Sequence, residues 1–167
     1  MHPMQVFIAD IDSISKNPDD YLALLSPEDK LRATKFQKHT RKLQFILGHL
    51  MVNSIGKKYT SIAHKDRFVV VASAQNTPVG IDIENVSVER DFVAGAALAG
   101  LKAPKTLFDF YKVFTESEAT YKLDAPSDCT RFIMHDDYLI CIVSTRQFSV
   151  PRLSFFDAES ILTAKKK

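Results

Sequence analysis

The residues with the clearest chemical potential are 79–84, Val-Gly-Ile-Asp-Ile-Glu. Ile81 and Ile83 alternate with Asp82 and Glu84, and a period of two predicts a strand with its apolar and acidic side chains on opposite faces. The two carboxylates then project together, roughly 7 Å apart along the strand. Such a pair repels unless a cation sits between its members. A hard divalent ion such as Mg²⁺ suits that place, because it takes one or two protein carboxylates and completes its shell with water and phosphate oxygens. The plainer reading is a half-buried strand with a solvated acidic edge, and six residues alone favour it.

A third acid comes from the helix predicted over about 105–123. At about 100° per residue, Leu107, Phe110, Tyr111, Phe114 and Tyr121 fall on one inward arc. Glu118 and Lys122 share that arc, whereas Asp109, Lys112 and Glu116 point the other way, towards water. A carboxylate taken out of water needs compensation. For Glu118 three sources are open. One is an i,i+4 pair with Lys122, worth about 0.2–0.5 kcal/mol on an exposed surface. Another is a capping box Thr115-x-x-Glu118, disfavoured because the periodic pattern runs on through Thr115. The third is a cation shared with Asp82 and Glu84.

The elements that position these groups follow from local signals. Val6–Ala9 reads as a first strand and 10–20 as a polar loop. Ser26-Pro27-Glu28-Asp29 starts a helix, with Ser as cap, Pro at the first helical position and acids in the first turn. That helix runs to about Phe36. A second runs from about Thr40 to Ile55 and is stopped by Gly56. Tyr59–Ala63 and Phe68–Ala74 read as strands joined by a turn, and Gln75–Pro78 leads into the acidic strand, which predicts an antiparallel meander. Helices over 88–101 and 105–123 follow, then strands over 131–134 and 138–144, linked by His135-Asp136-Asp137, and one more over 153–156. The order β-αα-βββ-α-α-βββ is α+β, one domain over 1–167 with two similarly ordered halves, about 1–80 and 81–160, each with helices packed on a small antiparallel sheet. No sequence repeat relates them.

Lys30, Arg32, Lys35, Lys38, His39, Arg41 and Lys42 make the first helix and its exit basic. They form either a solvated face or a wall for an anion, where Lys and Arg meet phosphates as charge-assisted donors. His64 sits at a strand end, flanked by Lys65 and Arg67. Spacing alone favours an exposed turn histidine, and the basic neighbours Lys65 and Arg67 also admit an anion-facing turn.

The whole chain sets the bounds. It has 167 residues, 46% hydrophobic and 25% charged, as in ordinary globular proteins. A net charge of +2 is too mild to imply nucleic acid but fits an anionic ligand or partner. Cys129 and Cys141 offer neither a disulfide framework nor metal spacing. No signal peptide and no membrane span is expected, and a reducing cytoplasm is the expected compartment.

Val-Gly-Ile-Asp-Ile-Glu at 79–84, followed by Phe-Thr-Glu-Ser-Glu-Ala-Thr-Tyr-Lys at 114–122, resembles the paired signature of the 4′-phosphopantetheinyl transferases: G-(I/V)-D-(I/V)-E, then (W/F)-(S/T)-x-K-E-(A/S)-x-x-K. The Leu25-Ser26-Pro27-Glu28 helix start and Arg41–Leu50 are similar to the N-terminal half of the monomeric surfactin-type branch. The resemblance covers roughly 20–125. It implies a pseudo-dimer of two like halves that moves the phosphopantetheine arm of coenzyme A to a serine of an apo acyl or peptidyl carrier protein. By the resemblance, Asp82, Glu84 and Glu118 hold Mg²⁺ against the pyrophosphate, and Glu118 helps deprotonate the serine. Lys122 faces the pyrophosphate, and His64, Lys65 and Arg41 meet coenzyme A phosphates. No internal nucleophile is needed, because the partner supplies it, and none is apparent.

The chain departs from that pattern in four places. Ser117 replaces the lysine before the motif glutamate, and Ala63-His64-Lys65 replaces an S-H-S turn. His49 stands where an arginine is usual, and a connection of only 56–60 replaces a longer loop that helps hold adenine. These departures also admit a descendant that binds coenzyme A or a carrier without turnover. A metal-dependent phosphohydrolase using the same carboxylates is a third, weaker reading.

Overall fold

The computed structural model describes residues 4–165. Among these residues, seven strands form two sheets. One holds β1 (Met4–Asp10), β2 (Tyr59–Lys65), β3 (Phe68–Ala74) and β7 (Leu153–Phe155) in the order β2-β3-β1-β7. The other holds β4 (Val79–Asn85), β5 (Cys129–His135) and β6 (Tyr138–Ser144) in the order β4-β6-β5. All pairings are antiparallel except β1 with β7. The helices are α1 (Pro18–Leu22), α2 (Pro27–Ala33), α3 (His39–Ile55), α4 (Phe92–Leu98), α5 (Leu107–Leu123) and α6 (Ala158–Lys165). The fold is α+β.

Side-chain alternation explains the layering. On β3, Val69 and Val71 join Leu43, Ile46, Leu47, Leu50 and Met51 of α3. On its other face, Val70 and Ala72 join Ile81, Ile83, Ile140 and Ile142 of the second sheet. The far face of that sheet, with Cys141 and Val143, packs on Ala119 and Leu123 of α5. Each long helix therefore covers the outer face of one sheet while the inner faces share a core.

The acidic strand is placed differently from its local reading. It does not extend the β2–β3 hairpin; it pairs with β6, Asp82 opposite Cys141 and Glu84 opposite Leu139. The expected three-strand meander is thus split between two sheets. Where β2 and β4 meet, the Ile81 amide donates to Ser61 Oγ at 3.2 Å. The solvated acidic edge is also absent: Asp82 is 7% exposed and Glu84 8%, because their face lies under α5.

Three smaller expectations are corrected, and one element is additional. The segment 10–20 contains a 3-10 turn at Ile11–Ser13 and then α1. The helix predicted over 88–101 is helical only at Phe92–Leu98. The last strand, although it belongs to the second half of the chain, joins β1 of the first sheet. The terminal helix α6, which packs on α3 through Ile161 and Leu162, carried no strong sequence signal. The cap at Ser26 and the left-handed Gly56 after α3 (φ 61°) are as expected; Ser26 Oγ accepts the Asp29 amide at 3.1 Å.

Gly80 sets the height of α5 above β4. A Cβ there would overlap the Ala119 carbonyl oxygen and stand 3.0 Å from the Leu123 amide nitrogen. Those atoms are helix backbone and cannot turn aside. Gly80→Ala is therefore expected to destabilise the fold by about 2–3 kcal/mol, read as a lowered urea midpoint with unchanged slope. Unchanged stability would mean that α5 does not sit this close.

Candidate active site

Three elements converge on the carboxylates. From β4 come Asp82 and Glu84; from α5 come Glu118 and Lys122, one helical turn apart; from the end of β2 come His64 and Lys65. Gly80, Asp82 and Glu84 share a face of β4, so the glycine that admits α5 also brings Lys122 down to Asp82. The Lys122 ammonium lies 2.7 Å from Asp82 Oδ1 and donates to the Ile81 carbonyl at 3.1 Å. The Lys65 ammonium lies 2.7 Å from Glu84 Oε2, and Arg90 stands 3.8 Å from the same oxygen. Asp82 Oδ2 is buried with no hydrogen-bond partner among the described residues. Glu118 is half-buried and pairs with no other described residue.

Burial pushes the Asp82 carboxyl up to about 6; Lys122 opposes the shift, and the charges of Glu84 and Glu118 reinforce it. Glu118 is thus close enough to act on Asp82 electrostatically. The i,i+4 relation of Glu118 and Lys122 does not become an ion pair, because Lys122 is committed to Asp82.

His64 faces the cationic side of the site. Arg41 of α3 contacts both ring nitrogens of His64 and donates to Gln44 Oε1 at 2.9 Å. Gln44 in turn donates to the Asp66 carbonyl at 2.7 Å, tying α3 to the β2–β3 turn. Burial pulls the His64 imidazole down to about 4, with Arg41 and Lys122 pushing the same way. His64 is therefore neutral at pH 7 and able to accept a proton donor or present one N–H.

A cavity of about 480 Å³ opens beside these groups, between the exit of α2, α3 and β2. Arg32, Lys35, Arg41 and His64 all line it. Of the basic residues counted along the first helix and its exit, Arg32, Lys35 and Arg41 are the ones the fold gathers here.

Two positions on α5 differ from the helical-wheel reading. Tyr121 is 84% exposed rather than inward. Glu116 is half-buried and accepts a hydrogen bond from Thr130 of β5 at 2.7 Å. The inward face is wider and turned towards Thr115, Ala119 and Leu123, because α5 lies across both β4 and β6. Cys141 lies beneath the helix; burial raises its thiol far above the usual range, and Glu116 and Asp82 add to the shift.

Asp82, Glu84, Glu118, Lys122, His64, Lys65 and Arg41 are thus neighbours in the fold. Sequence reasoning missed Arg90 and Gln44. Arg90 had no local signal, since it enters from an irregular segment beside Tyr111. Gln44 had one: a polar residue within the apolar stripe of α3. Among the described residues, no three His, Cys, Asp or Glu side chains form a ready metal cluster. No protein-family model matches the chain, and no curated protein matches it either.

Asp82 and His64 titrate with opposite consequences. Folding favours the protonated Asp82 carboxyl, so its contribution is full below pH 4 and is lost as pH rises towards 6. Folding favours neutral His64, so its contribution is full above pH 6.5 and is lost as pH falls towards 4. Each amounts to about 2–3 kcal/mol, and in the wild type they largely cancel. Stability of Asp82→Asn should rise from pH 4 to 6.5, and that of His64→Gln should fall over the same range. Parallel profiles in urea unfolding would refute the opposed pair.

Proposed function

We propose that the protein transfers the 4′-phosphopantetheine group of coenzyme A to a serine of an apo acyl or peptidyl carrier protein. The observation that carries this is the buried Asp82–Glu84 face, with one unpartnered carboxylate oxygen, next to a cation-lined cavity that begins at His64. Transfer of a phosphoryl-type group depends mainly on positioning and charge neutralisation, and this arrangement offers both. The two sheet orders also support the pseudo-dimer. In each half a first strand, a 17-residue helix and a hairpin follow one another, and the first strand pairs with the second hairpin strand. Each hairpin turns on an aspartate at positive φ, Asp66 and Asp136.

Asp82, Glu84 and Glu118 are hard oxygen donors that fit Mg²⁺, and the unpartnered Asp82 Oδ2 and unpaired Glu118 leave sites for it. Bound there, the ion supplies charge neutralisation to the pyrophosphate. Lys122 and Lys65 hold the carboxylates, and as ammonium groups they would also pair with phosphate oxygens. Neutral His64 and the Arg41 guanidinium face the phosphate nearer the cavity. In the reaction the carrier serine oxygen bonds to the pantetheine-bearing phosphorus. The bond from that phosphorus to the bridging oxygen breaks, and adenosine 3′,5′-bisphosphate leaves. Glu118 takes the serine proton, directly or through water.

This reading describes a cytoplasmic monomer. Among the described residues no helix is long and apolar enough to cross a membrane. Cys129 and Cys141 are both buried free thiols, in keeping with a reducing compartment. A second reading rests on one specific observation. Asp82 and Glu84 already have ammonium partners, so the site is closed electrostatically without a metal. A descendant that binds coenzyme A or a carrier without turnover would look like this.

Intact-mass spectrometry of apo carrier proteins incubated with the protein, coenzyme A and Mg²⁺ separates the two. A gain of one phosphopantetheine group on a serine supports transfer. No gain across fatty-acid, polyketide and nonribosomal-peptide carriers, with coenzyme A still bound, supports the second reading. In the transfer assay Glu118→Gln should lower kcat by roughly 10²–10⁴. Glu116→Ala should leave kcat nearly intact while removing about 1 kcal/mol of stability with the Thr130 hydrogen bond. Equal losses of kcat would reject the assigned roles.

A further inference from the structure

Arg90 reaches the carboxylate face from the irregular segment between β4 and α4, and that segment is tied down on both sides of it. The Val86 amide donates to the Asp137 carbonyl at 2.8 Å. Ser87 donates to Asn85 Oδ1 from its amide at 3.0 Å and from its hydroxyl at 2.7 Å. The hydroxyl of buried Tyr111 donates to the Val88 carbonyl at 2.6 Å. Beyond Arg90, Asp91 Oδ1 accepts the Ala94 amide at 3.0 Å and starts α4. Between these ties the Arg90 guanidinium lies over the Tyr111 ring, 5.5 Å from its centroid.

This guanidinium is held in place while its donors stay unspent. Its ion pair with Glu84 Oε2 spans 3.8 Å, beyond hydrogen-bond reach, and Lys65 already meets that oxygen at 2.7 Å. It makes no hydrogen bond with any described residue, and its side chain is 35% exposed. Stacking on Tyr111 limits its freedom beforehand, so less is lost when it takes a ligand. The carboxylates Asp82, Glu84 and Glu118 are matched by the cations Lys65, Lys122 and Arg90. A divalent ion on Asp82 and Glu84 upsets that balance and repels Arg90, unless an anion enters with it.

We infer that Arg90 is a phosphate-binding residue: its guanidinium takes a phosphate oxygen of a diphosphate ligand at the Glu84 end of the face. This rests on the coenzyme A reading and adds a residue outside the motifs that carry the resemblance. Arg90 then acts in two opposite senses. Beside Glu84 it opposes a metal ion arriving alone, and beside phosphate it favours metal and diphosphate together.

The test uses the full chain and no carrier. Electron paramagnetic resonance of free Mn²⁺ gives the affinity for a metal alone, and calorimetry in Mg²⁺ gives the affinity for inorganic pyrophosphate. Arg90→Gln should weaken pyrophosphate about tenfold or more, the loss of a charge-assisted contact, and bind Mn²⁺ alone at least as tightly as the wild type. Arg90→Lys, which keeps the charge without the flat fork, should recover only part of the loss. In the wild type the Arg90 Nε–H resonance should shift when pyrophosphate and Mg²⁺ are added, a readout that needs no variant to fold. An arginine that only holds 86–91 against α5 would weaken both ligands together in Arg90→Gln, and that result would overturn the inference. So would pyrophosphate affinity unchanged in that variant, a wild type that binds no pyrophosphate, or a loss seen only towards a carrier protein. The transfer reading fails separately. The expected Arg90 effects with no carrier modified leave Arg90 standing and remove the transfer; modified carriers with Arg90→Gln indistinguishable from the wild type do the reverse.

Discussion

The close approach of α5 to β4 at Gly80 governs the rest of the site. Helix backbone sits where a side chain would otherwise be, so Glu118 and Lys122 come over a strand that carries Asp82 and Glu84 on the same face. That approach removes the carboxylates from water, and their other properties follow. Desolvation raises the Asp82 pKa, recruits Lys122 at 2.7 Å and leaves one oxygen with no partner. A bulkier residue at 80 would lift the helix, return the acids to solvent and leave an ordinary acidic strand.

The second half of the arrangement comes from the meeting of β2 and β4. Ser61 accepts the Ile81 amide across that junction, and Lys65 reaches Glu84. Asp66, at the following turn, accepts from Asn85 of β4 and Tyr138 of β6, while Gln44 holds the same turn to α3. The cationic cavity and the carboxylate face lie on different sheets, and these polar contacts fix their separation. On the proposed function, groups tied together in this way would hold the phosphates of the ligand between the two regions.

Much of the local structure was legible because its signals are short-range. Ser26-Pro27 and Gly56 bound their helices through capping physics, and the alternation over 79–84 marked a strand. The pairing partner of β4 was not legible, since period two names the faces of a strand but not its neighbours. The wheel for α5 placed Glu118 and Lys122 inward and misplaced Tyr121 and Glu116, because one helix lying across two strands buries a wider arc than a single stripe. The short helix α1 opens on Asn17-Pro18-Asp19-Asp20, the same kind of start as Ser26-Pro27-Glu28-Asp29, and Asp157 caps α6, but five and eight residues are too few to show apolar periodicity. The cavity beside β2 was half legible: the basic residues stood out, while the contact of Phe36 with Phe45 in its wall depends on how the chain turns between α2 and α3.

Calorimetric titration of coenzyme A with and without Mg²⁺, into the wild type and Asp82→Asn, tests most directly whether the β4 carboxylates bring a cation to a phosphate ligand. Mg²⁺ should tighten coenzyme A binding about tenfold or more in the wild type and have little effect on the variant. Binding that ignores Mg²⁺ in both would mean that the lysines are the permanent partners of Asp82 and Glu84, and that the carboxylate face holds the fold together without doing chemistry.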